Sequence, residues 1–387
     1  MNISLPTASG QLEIYTLKGE PLSAAPAGSR FNRIAYSAAH VVADPRSAGE
    51  LNQSPAIDWE RTIEYRRYLI NQGLGIAEAM DTAQRGMGLP WDTARELVER
   101  TMRETSDLPG ALIASGCGTD HLELHSALSC DDVIRAYATQ LEAIQRTGSR
   151  VILMASRALV RAARSREDYV RVYREVLDMC DQPVILHWLG PMFDPELKGY
   201  WGTENLDEAA DICLEVIGEN ASKVEGIKIS LLDDAREIAF RRRLPDGVRM
   251  YTGDDFNYPS LIKGDEVGYS HALLGIFDAI APAASRALAA LAEGDVETYD
   301  RLLEPTVALS RHMFRAPTQY YKTGVVFLAY LNGFQPHFFM LGGHHGARPP
   351  LYLADVFRLA DSANLLRDPD GAIQRMRLVM QTLGCQP

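Results

Sequence analysis

One feature constrains this chain more than any other: after about Ser29, short apolar runs alternate with longer stretches whose apolar residues recur at helical spacing. Eight runs read as strands: Arg33 to His40, Leu74 to Met80, Gly110 to Ser115, Arg150 to Ala155, Pro183 to Trp188, Val224 to Ser230, Val248 to Gly253 and Val267 to His271. Between them, faces such as Ile134, Tyr137, Leu141 and Ile144, or Tyr169, Tyr173, Val176 and Cys180, carry the period of amphipathic helices. Ser129 and Ser165 each stand three residues before an Asp, a weaker relative of the capping box. Strand and helix in regular alternation predict an α/β fold of parallel strands joined by helical crossovers. Eight such units favour a closed (β/α)8 TIM barrel over an open doubly wound sheet. From Pro282 onward the pattern is helical and no Gly/Ser/Pro-rich linker interrupts it. The expected organisation is an N-terminal segment over 1–30, a barrel over 31–281 and a C-terminal helical extension over 282–387, packed on the barrel.

Composition narrows the function classes. With 46% hydrophobic and 23% charged residues, the chain is an ordinary globular one with a large core. No apolar run approaches the roughly 20 residues that cross a bilayer, and Met1 to Gly10 lacks a basic segment followed by an apolar one, so a cytoplasmic protein without a membrane partner is expected. A net charge of -12 disfavours nucleic acid as a partner, and the basic run Arg241 to Arg243 reads as a solvated helix end. The five cysteines are scattered and form no Cys-x-x-Cys, which points to thiols in a reducing compartment.

Chemistry in such barrels lies where strands end. The polar residues closing the runs are His40, Asp81, Asp120, Ser156 or Arg157, His187, Lys228, Asp254 or Asp255, and His271. Lys228 differs in kind. It is one of only six lysines against thirty-three arginines, and it stands between Ile227 and Ile229 in a strand whose outer face must pack under helices. Period-2 alternation puts Val224, Gly226, Lys228 and Ser230 on the inner face. Desolvation penalises an ammonium there and lowers its pKa toward the nucleophilic range. A neutral lysine adds to a carbonyl to give an iminium, an electron sink for breaking or making a neighbouring bond. The alternative is a structural lysine bridging Asp254 or Asp255.

The surroundings of Lys228 resemble the dihydrodipicolinate synthase and N-acetylneuraminate lyase superfamily of class I aldolases. Val224-Glu225-Gly226-Ile227-Lys228 is similar to that family's Gly-Ile-Lys strand, whose lysine forms the Schiff base. Thr252-Gly253-Asp254-Asp255 resembles its Ser-Gly-Asp-Asp, and Gly268-Tyr269-Ser270, Ala281-Pro282 and Gly294-Asp295 follow in the family's order. Pro183-Val184-Ile185-Leu186-His187-Trp188 with Pro191 is similar to Pro-Val-Ile-Leu-Tyr-Asn-x-Pro, and Arg348-Pro349-Pro350-Leu351 to Arg-Pro-Pro-Leu. The resemblance covers about Phe31 to Leu366. It implies a barrel with C-terminal helices, assembly as a homo-dimer or homo-tetramer, a small-molecule carbonyl substrate, and no metal or organic cofactor.

The departures bear on the substrate. Where the family has a Gly-Thr-Thr-Gly-Glu loop for a 2-oxo acid carboxylate, this chain reads Met80-Asp81-Thr82-Ala83-Gln84-Arg85-Gly86. Only Thr82 is retained, and Asp81 would repel a carboxylate unless Arg85 offset it. The family's fourth strand ends in a proton-relaying Tyr, and here Ala155-Ser156-Arg157-Ala158 stands there. Proton transfer is then expected from His187 or Tyr269. The leading expectation is a class I lyase, aldolase or dehydratase acting on an oxo-sugar or sugar acid. Lys228 is its nucleophile, Asp81, Thr82, Arg85 and Arg157 hold a polar substrate group, and Asp254, Asp255, Ser270 and His271 orient hydroxyls.

Two other readings stand beside it. His40, His187, His271 and Asp254 could form the metal site of a metal-dependent aldolase, isomerase or hydrolase. Alternatively, the barrel has lost its chemistry and binds a ligand. His121 and His125 read as a solvent-facing loop, Gly343-His344-His345-Gly346 as a turn, and Cys117 as a weak candidate nucleophile. The aromatic group from Tyr320 to Phe338 reads as helix packing or a subunit contact.

Overall fold

The computed structural model describes residues 2–23, 25–26, 29–47 and 56–385, except for the side chains of Thr82 and Ala83. A hairpin of β1 (Asn2–Pro6) and β2 (Leu12–Thr16) precedes eight strands: β3 (Ala35–Ser37), β4 (Gly75–Glu78), β5 (Ile113–Cys117), β6 (Arg150–Leu153), β7 (Val184–Leu189), β8 (Val224–Ser230), β9 (Arg249–Thr252) and β10 (His271–Leu274). These eight close into a barrel in sequence order, β10 pairing with β3, and every neighbouring pair is parallel. Helices alternate with the strands and further helices follow β10, so the fold is a TIM barrel with C-terminal helices.

The chain forms two compact units, Met1–Asn32 with His40–Leu74 and Gly275–Pro387, and Arg33–Ala39 with Gly75–Leu274. The second holds all eight barrel strands. Its interior is filled by Tyr36, Ala77, Ala114, Ile152, Ile185, Tyr251 and Leu273, joined by Ala38, Met80 and Met154. The two tyrosines need room. A Cβ at Gly226 would stand 2.8 Å from the Tyr251 ring and 2.6 Å from the Arg249 carbonyl oxygen. The two-residue alternation that points Ile185 and Tyr251 inward carries His187 and Gly253 to the same face. Register then sets His187 directly beside Lys228 on the next strand.

Local signals account for some boundaries in this unit. Ser129 and Asp132 form a complete capping box on the helix Cys130–Arg146, whereas Ser165 caps the helix Arg166–Asp178 without a side-chain bond. The final strand departs from the sequence reading. Asp265 Oδ1 accepts from the amides of Val267 and Gly268, 2.9 and 3.0 Å away, and folds that stretch into a turn. The strand therefore begins at His271 and takes its buried residues from Ala272 to Leu274.

The other unit is helical apart from its hairpin. The helix Trp59–Asn71 carries Tyr65 and Tyr68, whose rings pack on Phe334 at centroid distances of 5.0 and 4.5 Å, and Ser285 Oγ donates to the carbonyl of Gln72 at 2.6 Å. The helix Tyr321–Leu331 is buried along its whole length. Among the described residues no helix is long and apolar enough to cross a membrane.

Candidate active site

Lys228 lies near the end of β8, its residue surface only 7% exposed. Its Nζ is 3.9 Å from Met80 Sδ. Space for the side chain comes from Gly253 on β9's continuation, where a Cβ would stand 2.7 Å from Lys228 Cε and 2.1 Å from Ser230 Oγ. A Cβ at Gly116 would likewise stand 2.7 Å from Met154 Sδ and 2.5 Å from Met80 Cα. Glycine at these two positions thus lets two thioethers and the lysine stem share the barrel's upper interior.

His187 is 3% exposed. Its Nε2 is 3.3 Å from Ser230 Oγ, and its Nδ1 has no hydrogen-bond partner among the described residues. Burial, and after it the neighbouring Lys228 charge, hold its pKa well below the ordinary imidazole range. His187 is therefore a neutral imidazole with an uncommitted ring nitrogen, beside the lysine.

The end of β4 holds a different arrangement. Arg85 donates from Nε to Asp120 Oδ2 (3.0 Å), from Nη1 to the carbonyls of Ala79 and Gly116 (2.9 Å each), and from Nη2 to Asp120 Oδ1 and Gln140 Oε1 (2.8 Å). All five guanidinium donors are spent. Although burial pushes the Asp120 carboxyl up, Arg85 holds it below its usual range. Arg85 is thus a clamp between strand ends, which corrects its assignment to substrate. Asp81 is buried, and its carbonyl accepts from the amides of Gln84 and Arg85 to start the short helix Thr82–Arg85. The Thr82 side chain lies outside the described residues.

Past β6, the hydroxyls of Ser156 and Thr119 meet at 2.6 Å, and Ser156 Oγ accepts from the Leu159 amide to cap the helix Arg157–Ala162. The Arg157 side chain is 37% exposed and donates from Nε to Asp194 Oδ2 at 2.7 Å, Asp194 itself being 2% exposed. Its two Nη groups make no hydrogen bond with any described residue. A guanidinium fixed along one edge and open along the other is a fork for a carboxylate or phosphate.

Several expectations are corrected. Asp254 Oδ1 accepts from the amides of Phe256 and Asn257 and Oδ2 from Asn257 Nδ2, so this carboxylate holds a turn; burial raises its pKa. Asp255 is buried beside it. Tyr269, Ser270 and His271 lead into β10 and so lie at the opposite pole from the strand ends. Tyr269 is exposed with the Arg33 guanidinium 3.4 Å above its ring, Ser270 Oγ donates to Glu237 at 2.7 Å, and His271 Nδ1 accepts from the Ile34 amide at 3.0 Å. Burial and then Arg249 lower the His271 pKa to about 4. His40 belongs to the helical unit, where its Nδ1 meets Asp278 Oδ1 at 2.9 Å. With His40, His187, His271 and Asp254 dispersed or committed elsewhere, no group of three or more His, Cys, Asp or Glu among the described residues could hold a metal ion. Burial raises the pKa of the Cys117 thiol far above its ordinary value, which removes it as a nucleophile.

Five contributors escape the sequence reading. Met80, Met154 and Gly253 became site residues only through strand register. Asp194 carried no signal. Gln140 left a trace, as a lone amide on the apolar face of Tyr137, Leu141 and Ile144.

Residues 3–385 match the model of a family described as "Protein of unknown function (DUF993)". No curated protein matches the chain. Solved structures similar in fold include the chloride-inhibited dihydrodipicolinate synthase from Acinetobacter baumannii complexed with pyruvate (17% identity, 86% of this chain and 99% of that one, TM-score 0.63). YagE, a prophage protein of the dihydrodipicolinic acid synthase family from E. coli K12 in complex with pyruvate, is 13% identical over 92% of this chain and 99% of its own, with a TM-score of 0.63. Dihydrodipicolinate synthase from Thermotoga maritima is 15% identical over 92% and 100%, with a TM-score of 0.60. At such identities the likeness is one of fold, and this chain is a divergent example of it.

Proposed function

Because the chain belongs to DUF993, a family without an assigned function, and carries the fold of the dihydrodipicolinate synthases, we propose that it is a class I lyase in which Lys228 forms a Schiff base with a carbonyl substrate. The observation that carries this reading is the buried amine of Lys228 beside a thioether, in register with a neutral histidine. Loss of its proton gives Lys228 the nucleophilic amine that Schiff-base formation needs. The amine adds to the substrate carbonyl and the carbinolamine loses water. The iminium then accepts the electron pair of a neighbouring carbon-carbon bond as it breaks, or of an adjacent carbon-hydrogen bond as its proton is removed, and in the second case the enamine expels a β-hydroxyl, which leaves as water. His187 takes up and returns the proton in these steps through its uncommitted ring nitrogen. Arg157 pairs with a carboxylate or phosphate of an oxo-sugar or sugar-acid substrate, and Asp81 and Asp255 contact its hydroxyls. The complexes of two relatives in fold with pyruvate, itself a 2-oxo acid, agree with a carbonyl ligand.

Reductive trapping tests this. Incubation with pyruvate, 2-oxo sugar acids and 3-oxo sugars followed by borohydride is expected to leave a mass adduct on the Lys228 peptide, absent from Lys228→Met. Ligand binding without an adduct from any carbonyl would support a non-catalytic barrel instead.

A further inference from the structure

His121 follows β5 by four residues, in the exposed loop past Asp120. The loop is not loosely held. Gln140, buried in the helix Cys130–Arg146, accepts at Oε1 from Arg85 Nη2 (2.8 Å) and from the Gly118 amide (2.7 Å). Both partners can only donate, so the amide oxygen must face them. The opposite end of the amide agrees, since Gln140 Nε2 lies 2.9 Å from the Asp120 carboxylate, which in its ionised form can only accept. The same Nε2 is 2.8 Å from His121 Nδ1. With its amide fixed from both ends, Gln140 donates to Nδ1, and the imidazole proton is placed on Nε2. Trp91 flanks the ring at a centroid distance of 6.3 Å, and Nε2 makes no hydrogen bond with any described residue.

The charges facing His121 are Arg85, Asp120 and Asp92, and burial with Arg85 outweighs the two carboxylates to lower its pKa. The network resists protonation too, because a proton on Nδ1 would confront the Gln140 amide hydrogens. A neutral imidazole presenting Nε2–H is a hydrogen-bond donor that carries no charge to desolvate. Its strand is informative as well. Lys228 and His187 lie near the ends of β8 and β7, and Arg157 and His121 follow the ends of β6 and β5, four successive strands and thus half of the eight-stranded ring.

We propose that His121 is a substrate-binding residue, its imidazole oriented by Gln140 to donate from Nε2–H to an oxygen of a hydroxylated carbonyl substrate, at the end of the substrate remote from Lys228. The assignment rests on the Schiff-base reading and narrows it: the substrate extends across half the ring and bears a hydroxyl or carbonyl oxygen several carbons from the reacting centre. Pyruvate, with three carbons, bears no oxygen several carbons from its carbonyl.

Two measurements test it on the full-length protein. In the first, carbon and nitrogen shifts of labelled histidine, assigned by comparison with His121→Phe, are expected to report a neutral Nε2–H tautomer at neutral pH; an Nδ1–H tautomer or an imidazolium would overturn the proposal. In the second, the rate of borohydride-trapped adduct formation on Lys228 is compared for pyruvate and 2-keto-3-deoxygluconate. His121→Phe is expected to slow the sugar acid by about tenfold, the effect of one lost hydrogen bond, and to leave pyruvate unchanged, while His121→Gln, which keeps a donor, restores part of the rate. Equal losses for both probes, no loss for either, or adducts confined to pyruvate would overturn the role of His121 and leave the Schiff base standing. Absence of any adduct in the unsubstituted protein would defeat the Schiff-base reading itself, whatever the tautomer.

Discussion

Arg85 and Arg157 are the same residue type, standing past the ends of β4 and β6, yet one has every donor satisfied and the other keeps two nitrogens open. Replacing Arg85 therefore bears on stability. Lysine cannot reproduce the five-donor fork, so Arg85→Lys leaves Asp120, Gln140 and two backbone carbonyls partly unsatisfied and is expected to cost about 3–5 kcal/mol, measured by urea denaturation. An Arg157→Lys change should leave stability nearly unaltered. This contrast was illegible in the sequence, because whether a polar group has spent its hydrogen bonds depends on partners brought in by tertiary structure, such as Gln140. Lys228 and His187 were legible for the opposite reason: strand alternation assigns each its face before any partner is known.

At the scale of elements, the helix Asp234–Arg241 buries Glu237 against β9 and the segment before β10. Its Oε2 accepts from Thr252 Oγ1 at 2.9 Å, and its Oε1 from Ser270 Oγ at 2.7 Å. Burial outweighs these bonds and raises its pKa to about 8 from an ordinary 4.5. The folded chain keeps a proton that the unfolded chain releases. The stability contributed is complete below about pH 4.5 and declines through about pH 8, by a few kcal/mol. Melting curves at about pH 5 and about pH 9 should show this decline, and Glu237→Gln, which cannot ionise, should lack that component. The same segment is where the strand reading slipped. An apolar run from Val267 looked like strand, but the side chain of Asp265 had already turned the backbone, and such a local bond leaves no mark on hydrophobic periodicity.

For the molecule as a whole, the closed barrel follows from eight repeats of one pattern, whereas the make-up of the compact units does not follow from sequence order. The helix Trp59–Asn71 shares its unit with chain beyond Gly275, held by the Phe334 ring and the Ser285 hydroxyl. A chain ending at residue 281 should therefore lose more than an appendage. Its thermal transition, followed by circular dichroism, is expected to be broad and non-cooperative because Tyr65, Tyr68 and their neighbours lack the far segment. During synthesis every chain passes through that truncated condition. The helix Trp59–Asn71 leaves the ribosome roughly 200 residues ahead of the segment it packs against, so its apolar face must wait, shielded by a chaperone or by transient collapse, until translation is almost complete.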